Sequence, residues 1–397
     1  MCSSDEIEKW LAANKGKDYM SLLLAAGKDE AKKDAVMQQE CRRRVRSKLP
    51  FVAECLDFRF PTLLSAEQCT SEVLAQYHAG MIDEGGVVAD LTSGLGIDSI
   101  YLSRRASKVY SIERNPAVSD ALRHNCNALG IDAIEAVCAD AEQWIREYNG
   151  RLDAIYIDPA RRDGEGGRIY NLSDCSPNVV AMMPLLLEKA QRVIIKASPM
   201  FDAVKAMSEL GSVVSGVQLV GTEKECKELV IICTSGSCGL PTFDAVTLNR
   251  NGEAEAFRWT LEDEYDAVST FGEPEVGGYL LEPYPTVMKG GAFRLLSERF
   301  HVAKAAQHTH LYFSTTLPNG FPGHAYHIVE VLDFDKRAVK ELGKRYRMAN
   351  VAVRNFPIQA PELEKKLNVK PGGDLKIFGL TTNIGKKLVV TSQTFEQ

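Results

Sequence analysis

The sequence predicts a doubly wound α/β domain with a mostly parallel sheet, preceded by a helical region and followed by α+β segments. Three observations predict it. Between residues 86 and 235, short apolar runs rich in Val, Ile and Ala alternate with helix-forming stretches. The runs are mostly apolar, as in strands buried in a parallel sheet. The first of them ends at a glycine turn, Gly94-Leu95-Gly96, directly ahead of a helical pattern. Sheets of this class bind nucleotide-type ligands at such a turn.

The elements follow in order. Residues 1–75 read as helical, with Ile7, Trp10, Leu11, Leu22, Leu23 and Leu24 spaced for one apolar face. Residues 31–46 are strong helix formers, and Pro50 and Pro61 punctuate the region. Ser65 with Glu67 and Gln68 predicts a helix start running on through Val73, Leu74, Tyr77 and Met81. Strands are expected at 87–91, 109–113, 133–137, 154–158 and 192–196, and helices at 97–104, 117–129, 141–148 and 179–190. Runs at 213–220 and 228–233 have only a short link, which favours a hairpin over another βαβ unit. Residues 240–335 carry short strands, many turn residues and the acidic Glu262-Asp263-Glu264, a separate α+β style. From Arg337 the chain is basic, with strands at 349–354, 375–380 and 387–391, a helix at 361–367 and a turn at Gly372-Gly373-Asp374. The expected divisions are 1–75, 76–238, 239–336 and 337–397.

Composition narrows the class. The 397 residues are 45% apolar and 25% charged, as in an ordinary globular protein. With no apolar run of about 18 residues, no membrane helix is expected. The start lacks a basic stretch followed by an apolar one, so no secretion signal is expected either. Ten cysteines without a Cys-x-x-Cys pair suit a reduced, cytoplasmic protein with small buried thiols and no metal. His308 with His310, and His324 with His327, read as surface or packed histidines. The net charge is −6, but residues 336–397 hold 13 Lys/Arg against five Asp/Glu, and Arg42, Arg43, Arg44, Arg46 and Lys48 cluster near the N-terminus. That asymmetry fits a phosphate-binding tail on an acidic body, and equally a solvated surface.

The candidate site begins at the first strand. Asp90, Thr92, Ser93, Gly94, Gly96 and Asp98 form the turn and the helix start, where glycines let a ligand approach the backbone. Glu113, with Arg114 beside it, ends the second strand 23 residues after Asp90, where an acid holds ribose hydroxyls. The turn is not Gly-x-Gly-x-x-Gly, and Asp90 would face a pyrophosphate unfavourably. An adenosine cofactor with a cationic amino acid portion suits that carboxylate better.

These residues, taken in order, resemble the class I S-adenosylmethionine-dependent methyltransferases over about residues 68–235. The resemblance implies a Rossmann-like seven-stranded sheet whose last strand comes from the hairpin, with S-adenosylmethionine as cofactor. It places Asp90 near the methionine amino group, Glu113 on the ribose, and Asp140, followed by Ala141, near the adenine amino group. It sets Asp158-Pro159-Ala160-Arg161 beside the methyl group. Asp140 also reads as a helix N-cap. Ala160 and Arg161 stand where amino-directed base methyltransferases carry Pro and an aromatic ring. The Asp-Pro-x-Arg form resembles RNA uridine C5-methyltransferases, which use a cysteine after the fifth strand. Here that position reads Lys196-Ala197-Ser198-Pro199, and Cys175 is expected in a loop elsewhere. Direct transfer to nitrogen or oxygen follows, with Asp158 positioning the acceptor or taking its proton and Lys196 neutralising an anion or ending a strand.

A second resemblance lies further on. Residues 281–312 resemble a ferredoxin-like domain, and 350–373, with Arg354-Asn355-Phe356-Pro357, a THUMP-like domain appended to a group of bacterial methyltransferases. Gln68-Cys69-Thr70-Ser71-Glu72 and Tyr77-His78-Ala79 resemble the same group's entry into the methyltransferase fold. THUMP domains bind RNA, so the resemblance implies an RNA methyltransferase acting on tRNA or rRNA. A methyltransferase of a protein or small molecule, and a non-catalytic RNA-binding protein that keeps the fold, stay open.

Overall fold

A computed structural model describes residues 4–161, 171–236 and 239–393. The chain divides into two compact units, Met1–Ser215 with Val230–Gly239 and Gly216–Leu229 with Leu240–Gln397.

The first unit opens with helices Ser4–Ala13, Tyr19–Ala26, Glu30–Val45, Pro50–Glu54, Leu63–Gln68 and Glu72–Ala79. Local capping explains their starts: Asp18, Asp29, Thr62 and Ser71 each accept a backbone N–H three residues on. The single helix expected from Ser65 to Met81 is therefore two. Cys69 turns extended, with φ −60° and ψ 153°, and Ser71 caps the second helix, which leaves Thr70 in the break. These helices are not a separate layer. Val45, Leu49, Val52, Phe58, Phe60, Ala75 and Ala79 share one buried core with Leu95, Ile97, Ile100 and Tyr101 around the glycine turn.

The parallel strands are β1 (Val87–Asp90), β2 (Lys108–Glu113), β3 (Ile134–Cys138), β4 (Leu152–Ile157) and, after a short β5 (Ala160–Arg161) and β6 (Cys175–Ser176), β7 (Ala190–Ala197). Helices Ile97–Leu102, Pro116–Ala128, Ala141–Glu147 and Val179–Lys189 connect them. The expected hairpin is β8 (Val214–Thr222) and β9 (Cys226–Thr234), and the sheet order through it is β8-β9-β7-β4-β1-β2-β3. This is the seven-strand order of a class I methyltransferase sheet. The order reverses at β1, with β2 on one side and β4 on the other, and ligand crevices open at such a switch point.

The second unit adds β10 (Thr242–Leu248), which pairs parallel with β8, and β11 (Ala254–Thr260), antiparallel to β10. Its own sheet has order β13-β14-β12-β15-β18-β17-β16, from β12 (Tyr279–Pro283), β13 (Ala303–Ala306), β14 (Thr309–Ser314), β15 (Gly323–Asp333), β16 (Asn350–Arg354), β17 (Leu375–Thr381) and β18 (Lys386–Gln393). Successive strand residues take opposite faces. Ile377, Leu388 and Val390 pack with Leu342 of helix Lys336–Arg345 and with Leu363 and Leu367 of helix Ala360–Leu367. Phe378 and Val389 pack with Leu280, Leu311 and Ile328. Glu282, nearly buried, is held by Lys376 at 2.9 Å and by Arg354, and these cations keep its carboxyl ionised despite burial. No helix among the described residues is long and apolar enough to cross a membrane.

Candidate active site

Parallel pairing brings the carboxyl ends of β1, β2, β4 and β7 to one edge of the sheet: Asp90 pairs with Ser111 and Tyr156, and Ile157 with Ile195. Asp90, Glu113, Asp158 and Lys196 therefore gather at that edge.

Asp90 faces inward and is 1% exposed. Its carboxylate accepts the Thr92 amide at 3.1 Å and the Ser99 hydroxyl at 2.6 Å, so it pins the turn to the helix that follows. Burial and the neighbouring Asp98 push its carboxyl up to about 7. Ser93 donates its amide to Ile112, tying the turn to β2. Glu113 accepts the amides of Gly94 at 3.1 Å and Asn115 at 2.7 Å. Arg114 next to it is exposed. Gly94 and Gly96 have φ of +51° and +84°, and a Cβ on Gly96 would lie 2.1 Å from Leu122 Cδ1. A Cβ on Gly94 would meet nothing within 4 Å. One glycine is thus required by packing, and the other leaves open space over the turn. Asp140 caps helix Ala141–Glu147, accepting the amides of Glu142 and Gln143, and Ala141 is buried behind it.

The residues at the ends of β4 and β7 join the turn by two routes. Thr92 Oγ1 accepts the Asp158 amide at 2.7 Å. The Lys196 ammonium donates to the Asp158 carboxylate and, at 3.2 Å, to Thr70 Oγ1. Thr70 donates in turn to Asp98 at 2.5 Å, and Asp98 receives His78 Nδ1 at 2.8 Å. The Tyr156 hydroxyl lies 3.1 Å from the same nitrogen. Burial pushes the Asp98 carboxyl up, but His78, Lys196 and Thr70 outweigh it and hold it down at about 2. An ionised carboxylate only accepts, so the proton sits on His78 Nδ1.

Pro159 is buried beneath this edge. Arg161 lies in β5 opposite Cys175, but its side chain is outside what the structure describes, as is Arg162. Cys175 corrects the expectation of a loop: it stands in β6 and is fully buried, its Sγ turned towards the Asn171 carbonyl. Sequence reasoning included Asp98 and Lys196 but not the residues that join them. Thr70, His78 and Tyr156 sit on other elements: the one sequence signal for Thr70 and His78 was the resemblance of 68–79 to a methyltransferase entry segment, and Tyr156 was read only as part of the fourth strand. Of the paired histidines of the second unit, His310 stacks on Phe293 at 3.5 Å, His324 lies edge-on to Tyr284 at 5.1 Å, and His308 is exposed.

Comparison with known proteins agrees with this layout. Residues 61–174 match a family model described as conserved hypothetical protein 95, residues 279–322 a ferredoxin-like domain and residues 323–393 a THUMP domain-like one. An uncharacterized S-adenosylmethionine-dependent methyltransferase of Mycobacterium tuberculosis is 23% identical over 323 residues, 80% of this chain and 83% of its own length. A tRNA (uracil(54)-C(5))-methyltransferase of Pyrococcus horikoshii is 30% identical over 124 residues, 31% of this chain and 30% of its own. A solved Porphyromonas gingivalis W83 protein provisionally assigned as a methyltransferase superposes with a TM-score of 0.88 at 29% identity, covering 98% of each chain. Fold and relatives together define a class I methyltransferase. Within that class, the chain is similar to methyltransferases over its sheet and carries further on the matches to a ferredoxin-like and a THUMP-like domain.

Proposed function

We propose that this S-adenosylmethionine-dependent methyltransferase modifies a nucleotide of tRNA or rRNA by direct transfer, without a covalent cysteine intermediate. The observation that carries the reading is the carboxyl edge of the sheet, which brings together the buried carboxyls of Asp90 and Asp98, the half-exposed Asp158 and, paired with Asp158, the ammonium of Lys196. The excess negative charge suits a cationic ligand, and Gly94 leaves space for it over the turn. Residues 90–98 and Glu113 would hold the cofactor, with Asp140 at the adenine end. When bound, S-adenosylmethionine supplies an electrophilic methyl group on a sulfonium. Asp158, 40% exposed at its side chain, accepts a hydrogen bond from the acceptor and fixes its angle of approach. Its ion pair with Lys196 holds the carboxylate in place, which suits it to orienting the acceptor. Lys196 also lends positive charge where a phosphate or a nucleobase oxygen would sit. No cysteine stands in the turn directly after β7, residues 198–202, and Cys175 is sealed in the protein, which favours a nitrogen or oxygen acceptor over a uridine carbon.

The RNA assignment draws on the THUMP-like match, the basic charge of 336–397 and the RNA methyltransferases among the relatives. Mass spectrometry of nucleosides from total RNA, with and without the gene, is expected to show one methylated nucleoside lost on deletion and restored by the wild type but not by Asp158→Ala. An unchanged nucleoside profile would sink the RNA assignment.

A further inference from the structure

The chain of hydrogen bonds behind Asp158 has a direction. Thr70 has one hydroxyl proton, and Asp98 takes it at 2.5 Å. Its lone pair then faces Lys196 Nζ at 3.2 Å, so the hydroxyl can receive an ammonium but offer nothing to a neutral amine in need of a donor. Asp98 is fixed in turn by the buried His78, whose ring is 5.5 Å from that of Tyr156. Lys196 is nearly enclosed, its side chain 12% exposed, and reaches Asp158 at the open edge. A flexible ammonium would otherwise have several ways to meet a carboxylate. The break between helices Leu63–Gln68 and Glu72–Ala79 presents Thr70 at this point, and the first turn after Gly96 presents Asp98.

We propose that Thr70, Asp98 and His78 are positioning residues for methyl transfer: through the Thr70 hydroxyl they hold the Lys196 ammonium in one place, and thereby the Asp158 carboxylate in one orientation. The proposal rests on the reading of Asp158 as the acceptor-orienting group. It adds a three-residue support, contributed by the entry helices and the cofactor turn, to an acceptor site on β4 and β7.

The test pairs Thr70→Val, which keeps the shape and removes the hydroxyl, with Thr70→Ser, which keeps the hydroxyl. Transfer of tritiated methyl from S-adenosylmethionine to total RNA from cells lacking the gene gives kcat and KM. Thr70→Val is expected to lower kcat about 10- to 100-fold with the cofactor KM within about twofold, because loss of orientation acts on the chemical step. Thr70→Ser recovers to within about threefold of wild type. A packing role would instead make Ser, with its missing methyl, the worse variant. The second measurement needs no acceptor. In 15N-lysine-labelled full-length protein, the Lys196 ammonium, assigned by its loss in Lys196→Arg, gives a slowly exchanging Nζ resonance in wild type and Thr70→Ser. That resonance broadens away in Thr70→Val. Its persistence in Thr70→Val overturns the proposal, as does a wild-type kcat in Thr70→Val or a Thr70→Ser rate as low as Thr70→Val. If wild type labels no RNA, the RNA assignment falls, and the resonance alone decides the positioning role.

Discussion

Asp90 and Asp98 are eight residues apart, both buried, and pushed in opposite directions. Burial raises Asp90 to about 7, and its two hydrogen-bond donors do not compensate. His78, Lys196 and Thr70 hold Asp98 at about 2 against the same burial. The signs follow from which state binds the proton. An unfolded Asp90 ionises near 3.8 and the folded one near 7, so its contribution to stability is present below 3.8 and is lost as pH rises to about 7. Asp98 does the reverse: its contribution is present above 3.8 and is lost as pH falls to about 2. A cationic amino group beside Asp90 would ionise it, so binding of S-adenosylhomocysteine should release a proton when pH is below about 7. Calorimetry at about pH 6.5, in two buffers of different ionisation heat, should detect that release in wild type and not in Asp90→Asn. Equal release in both would mean that the amino group lies elsewhere and that Asp90 serves only to pin the turn.

At the scale of elements, the glycine turn depends on the helix across from it. Gly96 starts helix Ile97–Leu102 in the left-handed region, and Leu122 of helix Pro116–Ala128, itself fully buried, closes over it. Gly96→Ala meets both constraints at once. A left-handed alanine and an overpacked core together cost about 2–4 kcal/mol. Urea unfolding should show a midpoint lowered accordingly with the slope unchanged, and S-adenosylhomocysteine affinity should fall with it; a midpoint equal to wild type would show that Leu122 can yield. The sequence made this turn readable because its strand is a continuous apolar run and its glycines are local signals. The same holds for β4 and β7, whose central residues, like those of β1, are buried, and less for β3, an edge strand with exposed Glu135 and Cys138. It fails where a contact is purely tertiary. Nothing in the apolar pattern of 65–81 marks the interruption at Thr70, since Thr62 and Ser71 are ordinary cap residues that a helix interior also tolerates. Likewise, 242–260 reads as generic β sequence, and only three-dimensional pairing reveals that β10 continues the order through β8. Asp98 and Lys196 were visible as a helix start and a strand end, but Thr70 and His78, which connect and hold them, are 28 and 20 residues from Asp98.

The charge asymmetry belongs to the whole molecule, and the fold decides how it can be tested. Removing residues 337–397 would take β16, β17 and β18 with it, and β18 pairs directly with β15 inside the seven-stranded sheet. Loss of RNA affinity after such a deletion would report unfolding as readily as lost contacts. Substitution of exposed cations avoids this. Lys340 and Lys344 are exposed on helix Lys336–Arg345, whose buried side is Ala338 and Leu342, and Arg347 is exposed just beyond it. By contrast, Arg337 and Arg345 on the same helix are engaged with Glu341 and Glu330 and are poorer probes. Each phosphate contact contributes about 0.7–0.9 to the slope of log affinity against log salt concentration. Replacing Lys340, Lys344 and Arg347 together by Ala should therefore flatten that slope by about 2 for total tRNA measured by fluorescence anisotropy, if all three meet phosphate. S-adenosylhomocysteine affinity and the thermal midpoint should stay at wild-type values, because none of the three is buried. An unchanged salt slope would remove this face from the RNA path and leave the basic residues of 336–397 as a solvated surface, while the methyltransferase site would stand on its own geometry.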